Sequence, residues 1–169
     1  MTGALRDRHW RTQAGAGINH IPSGDFCLYD HVLATACMLG AIPDGYGWVD
    51  GPVWSATMFA LARGSRGTEA EAAAGIKPGQ PALEMTKWFD TNYHYLVPRL
   101  DAGQRFSLTS NPILAQFAEA SAMNLRTRPV ILGPISFLLL AKMTDGGLDR
   151  IGRKTRVSAE LSRYSGAVH

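Results

Sequence analysis

Cysteine is scarce in this 169-residue chain: Cys27 and Cys37 are the only two, ten positions apart and without a CxxC pairing. That spacing excludes a disulfide scaffold and the common zinc and redox motifs, and it leaves two buried free thiols as the expectation. Long apolar runs are absent too. None reaches the ~18 to 20 residues that cross a bilayer, and residues 1–11 are charged where a signal peptide needs an apolar centre. The expectation is a cytoplasmic protein with no membrane partner. No GxSxG elbow, P-loop or GxGxxG turn occurs, so hydrolase, nucleotide-binding and dehydrogenase readings lose their usual support. The turn "LGPISF" is too poor in free N–H groups to wrap an anion and reads as a strand-to-helix turn. No repeat of 20 to 50 residues is visible either.

Charge is sparse as well, at 18% of residues against 46% hydrophobic, the balance of a globular chain of one compact domain or part of a larger one. The pI near 9.1 invites a nucleic-acid reading. Of 17 basic and 14 acidic residues, however, five and two fall in residues 148–169, which leaves a balanced 12 and 12 in residues 1–147. The natural division is therefore a patterned domain at 1–147 and a basic, weakly patterned tail at 148–169. Such a tail reads as a solvated face, and no nucleic-acid partner is expected.

Along the chain, residues 5–13 look like the end of a helix, and "INHIPSGDF" suggests a strand followed by a loop. Apolar residues at helical spacing predict helices over 28–39 and 53–63, stopped by Gly40 and Gly64. "GSRGTEAEAAAGIKPGQP" reads as a surface excursion whose alanines can form a short helix. Residues 106–109 are a strand candidate. Asn111 and Pro112 supply a cap and first-turn proline for a helix with Ile113, Leu114, Phe117 and Ala118 on one face. "PVIL" at 129–132 resembles a buried parallel strand, and "ISFLLLAKM" a further helix. Alternating strands and helices predict an α/β chain with a parallel sheet or barrel.

Two side-chain groupings carry chemistry. Cys27, Asp30 and His31, with Asp25 ahead of them, are metal-ligand types, but their spacing matches no recognised metal motif, and a capped helix start is the expectation. The second is "EMTKWFDTNYHYLVP", residues 84–98. Its aromatic rings can wall a flat ligand, with Lys87 as a cation and Asp90, Asn92 and His94 as directional hydrogen-bonding groups. It can equally be a strand with a snorkelling lysine and amphipathic aromatics. On a simple strand, Lys87 and Phe89 would share one face, and Trp88 and Asp90 the other.

This segment closely resembles the signature of the amino-terminal domain of cobalamin-independent methionine synthase. "GINHIPSGDFCLYDHVL", "LGAIP", "ARG" at 62–64 and "RPVILGPISFLLLAK" resemble further family segments in the same order, and together they span residues 5–142. The resemblance implies an incomplete (βα)8 TIM-type barrel of parallel strands alternating with helices, truncated at both ends relative to the family's two face-to-face barrels. It also implies part of an enzyme that moves a methyl group from 5-methyltetrahydropteroyl-polyglutamate to homocysteine.

In that family, zinc sits in the carboxy-terminal barrel and activates homocysteine sulfur, so the resemblance implies no cofactor, metal or catalytic residue in this chain, which alone would be inactive. The polyglutamate tail is held in the family by an early Arg-Glu-Leu-Lys segment, which this sequence does not contain, and by the lysine of "EMTKWF". Lys87 occupies that position, and Asn92 and His94 are the flanking candidates for substrate binding. A separate chain carrying the catalytic barrel is an implied partner. The alternatives are a non-catalytic folate-binding or partner-completing module, and a truncated remnant without function.

Overall fold

The computed structural model describes residues 2–101 and 103–144. The basic segment 148–169 therefore lies outside the described residues. Helix α1 (Thr2–Gly15) buries Trp10, whose indole N–H donates to the carbonyl of Pro22 at 3.0 Å. Strand β1 (Ile21–Ser23) follows. It pairs in parallel with β5 (Thr127–Pro129), Ile21 opposite Thr127 and Ser23 opposite Pro129. Helix α5 (Pro112–Ala122) covers this ladder, and Trp10, Ile21 and Ala120 form a small core beneath it. The guanidinium of Arg6 donates to Glu119 at 2.6 Å and clamps α1 to α5.

Helix α2 (His31–Met38) is the centre of the molecule, with six of its eight residues buried. It begins three positions later than the apolar spacing predicts, because Asp30 takes an extended conformation and caps it. Gly40, at φ 63°, closes its far end where the N–H of Ala41 turns back to Ala36. Val32, Ala36 and Leu39 face one core with Tyr95, Leu100 and Phe137. Leu33 and Cys37 face a second core with Tyr46, Leu61 and Leu96.

Helix α3 (Ser55–Arg63) stops at Gly64 as expected. The Gly- and Ala-rich stretch beyond it holds helix α4 (Glu69–Ala73), whose Thr68 and Glu71 form a reciprocal capping box. It is tied down: Tyr46, fully buried, donates its hydroxyl to Pro81, and Tyr46 bridges Ile76.

The tract 84–98 is a hairpin rather than one strand. Strands β2 (Met85–Lys87) and β3 (His94–Leu96) run antiparallel, with Phe89 in the turn at φ 50°, so Lys87 and Phe89 do not share a strand face. After Pro98, β4 (Arg99–Leu100) pairs in parallel with β6 (Lys142–Met143). The "ISFLLLAKM" helix, α6 (Pro134–Leu140), ends before Ala141, where the backbone becomes extended to enter β6.

Three further expectations are corrected. Residues 106–109 form no strand; the N–H groups of Ser107 and Thr109 instead donate to Leu39 and Met38, carbonyls that the end of α2 leaves open. On α5, Gln116 and Ala120 are the buried positions, while Phe117 is half-buried and Ala118 exposed. The "PVIL" run is not buried: β5 ends at Pro129, and Val130 and Ile131 are 47% and 39% exposed because the described ladder has only two strands to cover them. The molecule is a mixed α/β structure with two parallel ladders and one antiparallel hairpin, and the described residues close no barrel. No described helix is long and apolar enough to cross a membrane.

Candidate functional site

The carboxylate of Asp30 organises the region around Lys87. One oxygen accepts from the N–H of Leu33 at 2.8 Å, capping α2, and the other accepts from the N–H of Leu96 at 3.0 Å, within β3. Asp30 is 3% exposed, so one buried anion joins the start of a helix to the hairpin. Asp30 thus caps α2, as its place before the helix predicts, and also tethers that helix start to the hairpin.

The next residue, His31, carries the hairpin's aromatic ridge. Its ring stacks on Tyr93 with centroids 5.7 Å apart and lies 4.7 Å from Trp88. Trp88 in turn meets Phe89, Tyr93 and Tyr95 edge-on. The turn is braced by Thr91, whose hydroxyl donates to Trp88 and accepts from the N–H of Tyr93.

At the hairpin's exposed end, Lys87 stands directly opposite His94. Such cross-strand neighbours have Cβ atoms ~4.5 to 5.5 Å apart, so ammonium and imidazole share one small surface. The Nδ1 of His94 lies 3.0 Å from the carbonyl of Asn92, a contact that requires Nδ1 to carry the proton. The structure thus brings Lys87 and His94 together, while Asn92 contributes its backbone carbonyl and an exposed side chain. Among the described residues Lys87 has no carboxylate partner.

Beside the ridge, a cleft of about 370 Å³ opens between the loop after β1, helix α2 and the start of α5. Phe26, Leu33, Met58, Ile113 and Leu132 give it apolar walls, and His31 is the residue it shares with the ridge. Lys87, Asn92 and His94 do not line it. Gln116, almost fully buried, accepts from the N–H of Gly24 and fixes the loop to α5. Leu33, Met58 and Ile113 fall within helices legible in the sequence, but their convergence with Phe26 and Leu132 on one cleft was not legible.

Both cysteines line this cleft, Cys37 buried and Cys27 only half-buried. Burial, then the charges of Asp30 and Asp25, pushes the Cys27 thiol up to about 11. Burial, then Asp30, pushes Cys37 up to about 12. Both are therefore protonated near neutrality, when thiolate is the form that binds metal or attacks an electrophile. Among the described residues no three His, Cys, Asp or Glu side chains converge as a metal site. Zinc thus finds no fitting donor set here. Alkylation of native protein by iodoacetamide should be confined to Cys27 and should rise about tenfold per pH unit from pH 7 to 10, as expected below the thiol's pKa. A rate that levels off near pH 8, read by mass spectrometry, would refute the raised value.

Comparison with known proteins agrees with the resemblance read from the motifs. The profile of the family described as "Cobalamin-independent synthase, N-terminal domain" matches residues 1–165. The 5-methyltetrahydropteroyltriglutamate–homocysteine methyltransferase of Acidiphilium cryptum is 64% identical over 164 residues, which cover 94% of this chain and 20% of the relative. The enzymes of the same name from Caulobacter vibrioides and Nitrobacter winogradskyi are 56% and 51% identical, over 82% and 86% of this chain. The chain spans about a fifth of the length of these relatives. It belongs to the cobalamin-independent synthase amino-terminal domain family.

Proposed function

We propose that this chain is part of a folate-dependent methyltransferase that moves a methyl group from 5-methyltetrahydropteroyl-polyglutamate to homocysteine, and that its share is to hold the polyglutamate tail. The observation that carries the reading is Lys87: exposed, beside His94, on a hairpin fixed by Asp30, and without a carboxylate partner among the described residues. An ammonium is a compact charge that can serve several carboxylates in turn. His94, with Nδ1 engaged by Asn92, stands opposite Lys87 as a second polar group.

The fold proposed for the complete unit is a (βα)8 barrel, of which the two parallel ladders and their helices are a portion. Methyl transfer itself belongs to residues outside this chain, and no catalytic zinc is assigned to it. The exposed Val130, Ile131 and Leu139 favour a second reading, in which a separate chain carrying the catalytic barrel covers these side chains.

Lys87→Ala tests the proposal in a chain extended to the length of the relatives. A charge-assisted hydrogen bond sheltered by the bound tail contributes roughly 1.5 to 3 kcal/mol, against roughly 0.2 to 1 kcal/mol for an exposed one, so binding of the triglutamate folate should weaken by about 10- to 100-fold if the contact is sheltered. The monoglutamate should lose much less, because it lacks the distal carboxylates. Equal losses for both ligands would place Lys87 away from the tail, and no loss for either would make it a snorkelling surface lysine.

A further inference from the structure

A second polar surface lies at the opposite end of the β1–β5 ladder from the cleft. Asn19, His20, Arg126, Thr127 and Arg128 line a groove where the two strands begin. The register explains the grouping. Pro22 stands opposite Arg128 and Ile21 opposite Thr127, and His20 and Arg126 directly precede these paired residues. Arg128 lies in β5 on the side of the ladder away from Ile21 and Thr127, and Arg126 directly precedes the strand, ~6 to 7 Å away along the chain. Ile21 occupies the other side, packed with Trp10 and Ala120.

Two arginines, a histidine and an asparagine therefore line one groove, and no acidic residue lines it. Glu119, the acidic residue on the covering helix α5, is held by Arg6. Among the described residues neither Arg126 nor Arg128 has an ion-pair partner. Like charges held this close repel each other, and an anion between them removes that repulsion.

We propose that this groove is a binding site for a tetrahedral dianion, a phosphate group either free or carried by a small molecule. The choice follows from fork geometry. Each guanidinium offers paired N–H donors that match two oxygens of an anion. A carboxylate has one such edge and satisfies one arginine, whereas a phosphate has several and can meet both forks at once. His20 and Asn19 then donate to the remaining oxygens. The site is separate from Lys87 and does not depend on the tail-binding proposal.

Titration of the chain with inorganic phosphate, glycerol phosphate and acetate at equal ionic strength, followed by isothermal calorimetry or by amide shifts in NMR spectra, tests it. Phosphate should bind saturably and at least about tenfold more tightly than acetate, and Arg126→Gln or Arg128→Gln should each weaken it by about tenfold or more. A glycerol phosphate affinity equal to that of phosphate would assign the site to a phosphate carried by a small molecule, and a weaker one to the free ion. Both side chains are exposed, so the variants should keep the wild-type circular dichroism. Arg126→Lys with Arg128→Lys, which keeps charge and removes the forks, should fall between wild type and the glutamine variants. Equal binding of acetate and phosphate, or full binding by the double glutamine variant, would overturn the proposal. So would a phosphate response that disappears in Lys87→Ala and persists in the arginine variants, because it would move the anion to the hairpin.

Discussion

Asp30→Ala should destabilise the chain by roughly 3 kcal/mol, through two losses that add. Removing an N-cap costs about 0.5 to 2 kcal/mol, and α2, the most buried helix described, would lose its cap to the N–H of Leu33. The N–H of Leu96 would lose its acceptor in a buried position, at a cost of about 1 to 3 kcal/mol. For a chain of this size the melting temperature should fall by roughly 6 to 12 °C. Asp30→Asn separates the two roles. Its amide oxygen still caps α2, because asparagine is as good an N-cap as aspartate. Its NH₂ would face the N–H of Leu96, donor against donor, and the hairpin would bear the loss. Amide exchange at Leu96 should therefore quicken in both variants, and at Leu33 mainly in the alanine variant. Equal melting of wild type and Asp30→Ala would mean that the tether contributes nothing.

Gly47→Ala should be about as damaging, for a steric reason. Gly47 lies at φ 75°, and a Cβ added there would stand 2.0 Å from the carbonyl oxygen of Ala74 and 2.8 Å from the nitrogen of Ile76. Both are backbone atoms that no rotamer change can move. The left-handed conformation alone costs a residue with a Cβ about 1 to 2 kcal/mol, and overpacking adds typically 1 to 3. The displaced segment contains the Tyr46–Ile76 bridge, so the loop holding α4 should loosen with it. Gly51→Ala is the internal comparison. Gly51 has nearly the same backbone angle, φ 73°, but nothing lies within 4 Å of its added Cβ, so only the smaller conformational cost should appear. Urea midpoints of the two variants should differ clearly, and coincident midpoints would contradict the close contact at Gly47.

These residues also mark what the sequence could and could not convey. Asn111, Pro112, Gly40 and Gly64 act on the backbone within a few positions of themselves, so their cap and stop signals are local and the structure bears them out. Residues 106–109 alternate apolar and polar side chains as a strand would, but what decides their conformation is the set of open carbonyls at the end of α2, almost seventy positions earlier. The hairpin was hidden for a different reason. Its left-handed turn residue is Phe89, an aromatic, where a hairpin ordinarily announces itself with Asn-Gly or Asp-Gly. Asp30 carried a helix-capping signal that is readable in "DHVL", but its second bond, to Leu96, depends on a contact between distant segments. The grouping of Arg126, Arg128 and His20 was equally out of reach, because it exists only once β1 and β5 are in register.

The lengths of chain enclosed by the pairings set an order of assembly. The β2–β3 hairpin closes a short loop, and such hairpins form in about 1 to 10 μs. The β1–β5 ladder must bring Ile21 to Thr127 across most of the described chain, and contacts of such long separation are slow because loop closure comes before any compensating contact. The hairpin pairing beside Lys87 can therefore form while the chain is still largely open, whereas the arginine groove becomes available only when β1 and β5 have met.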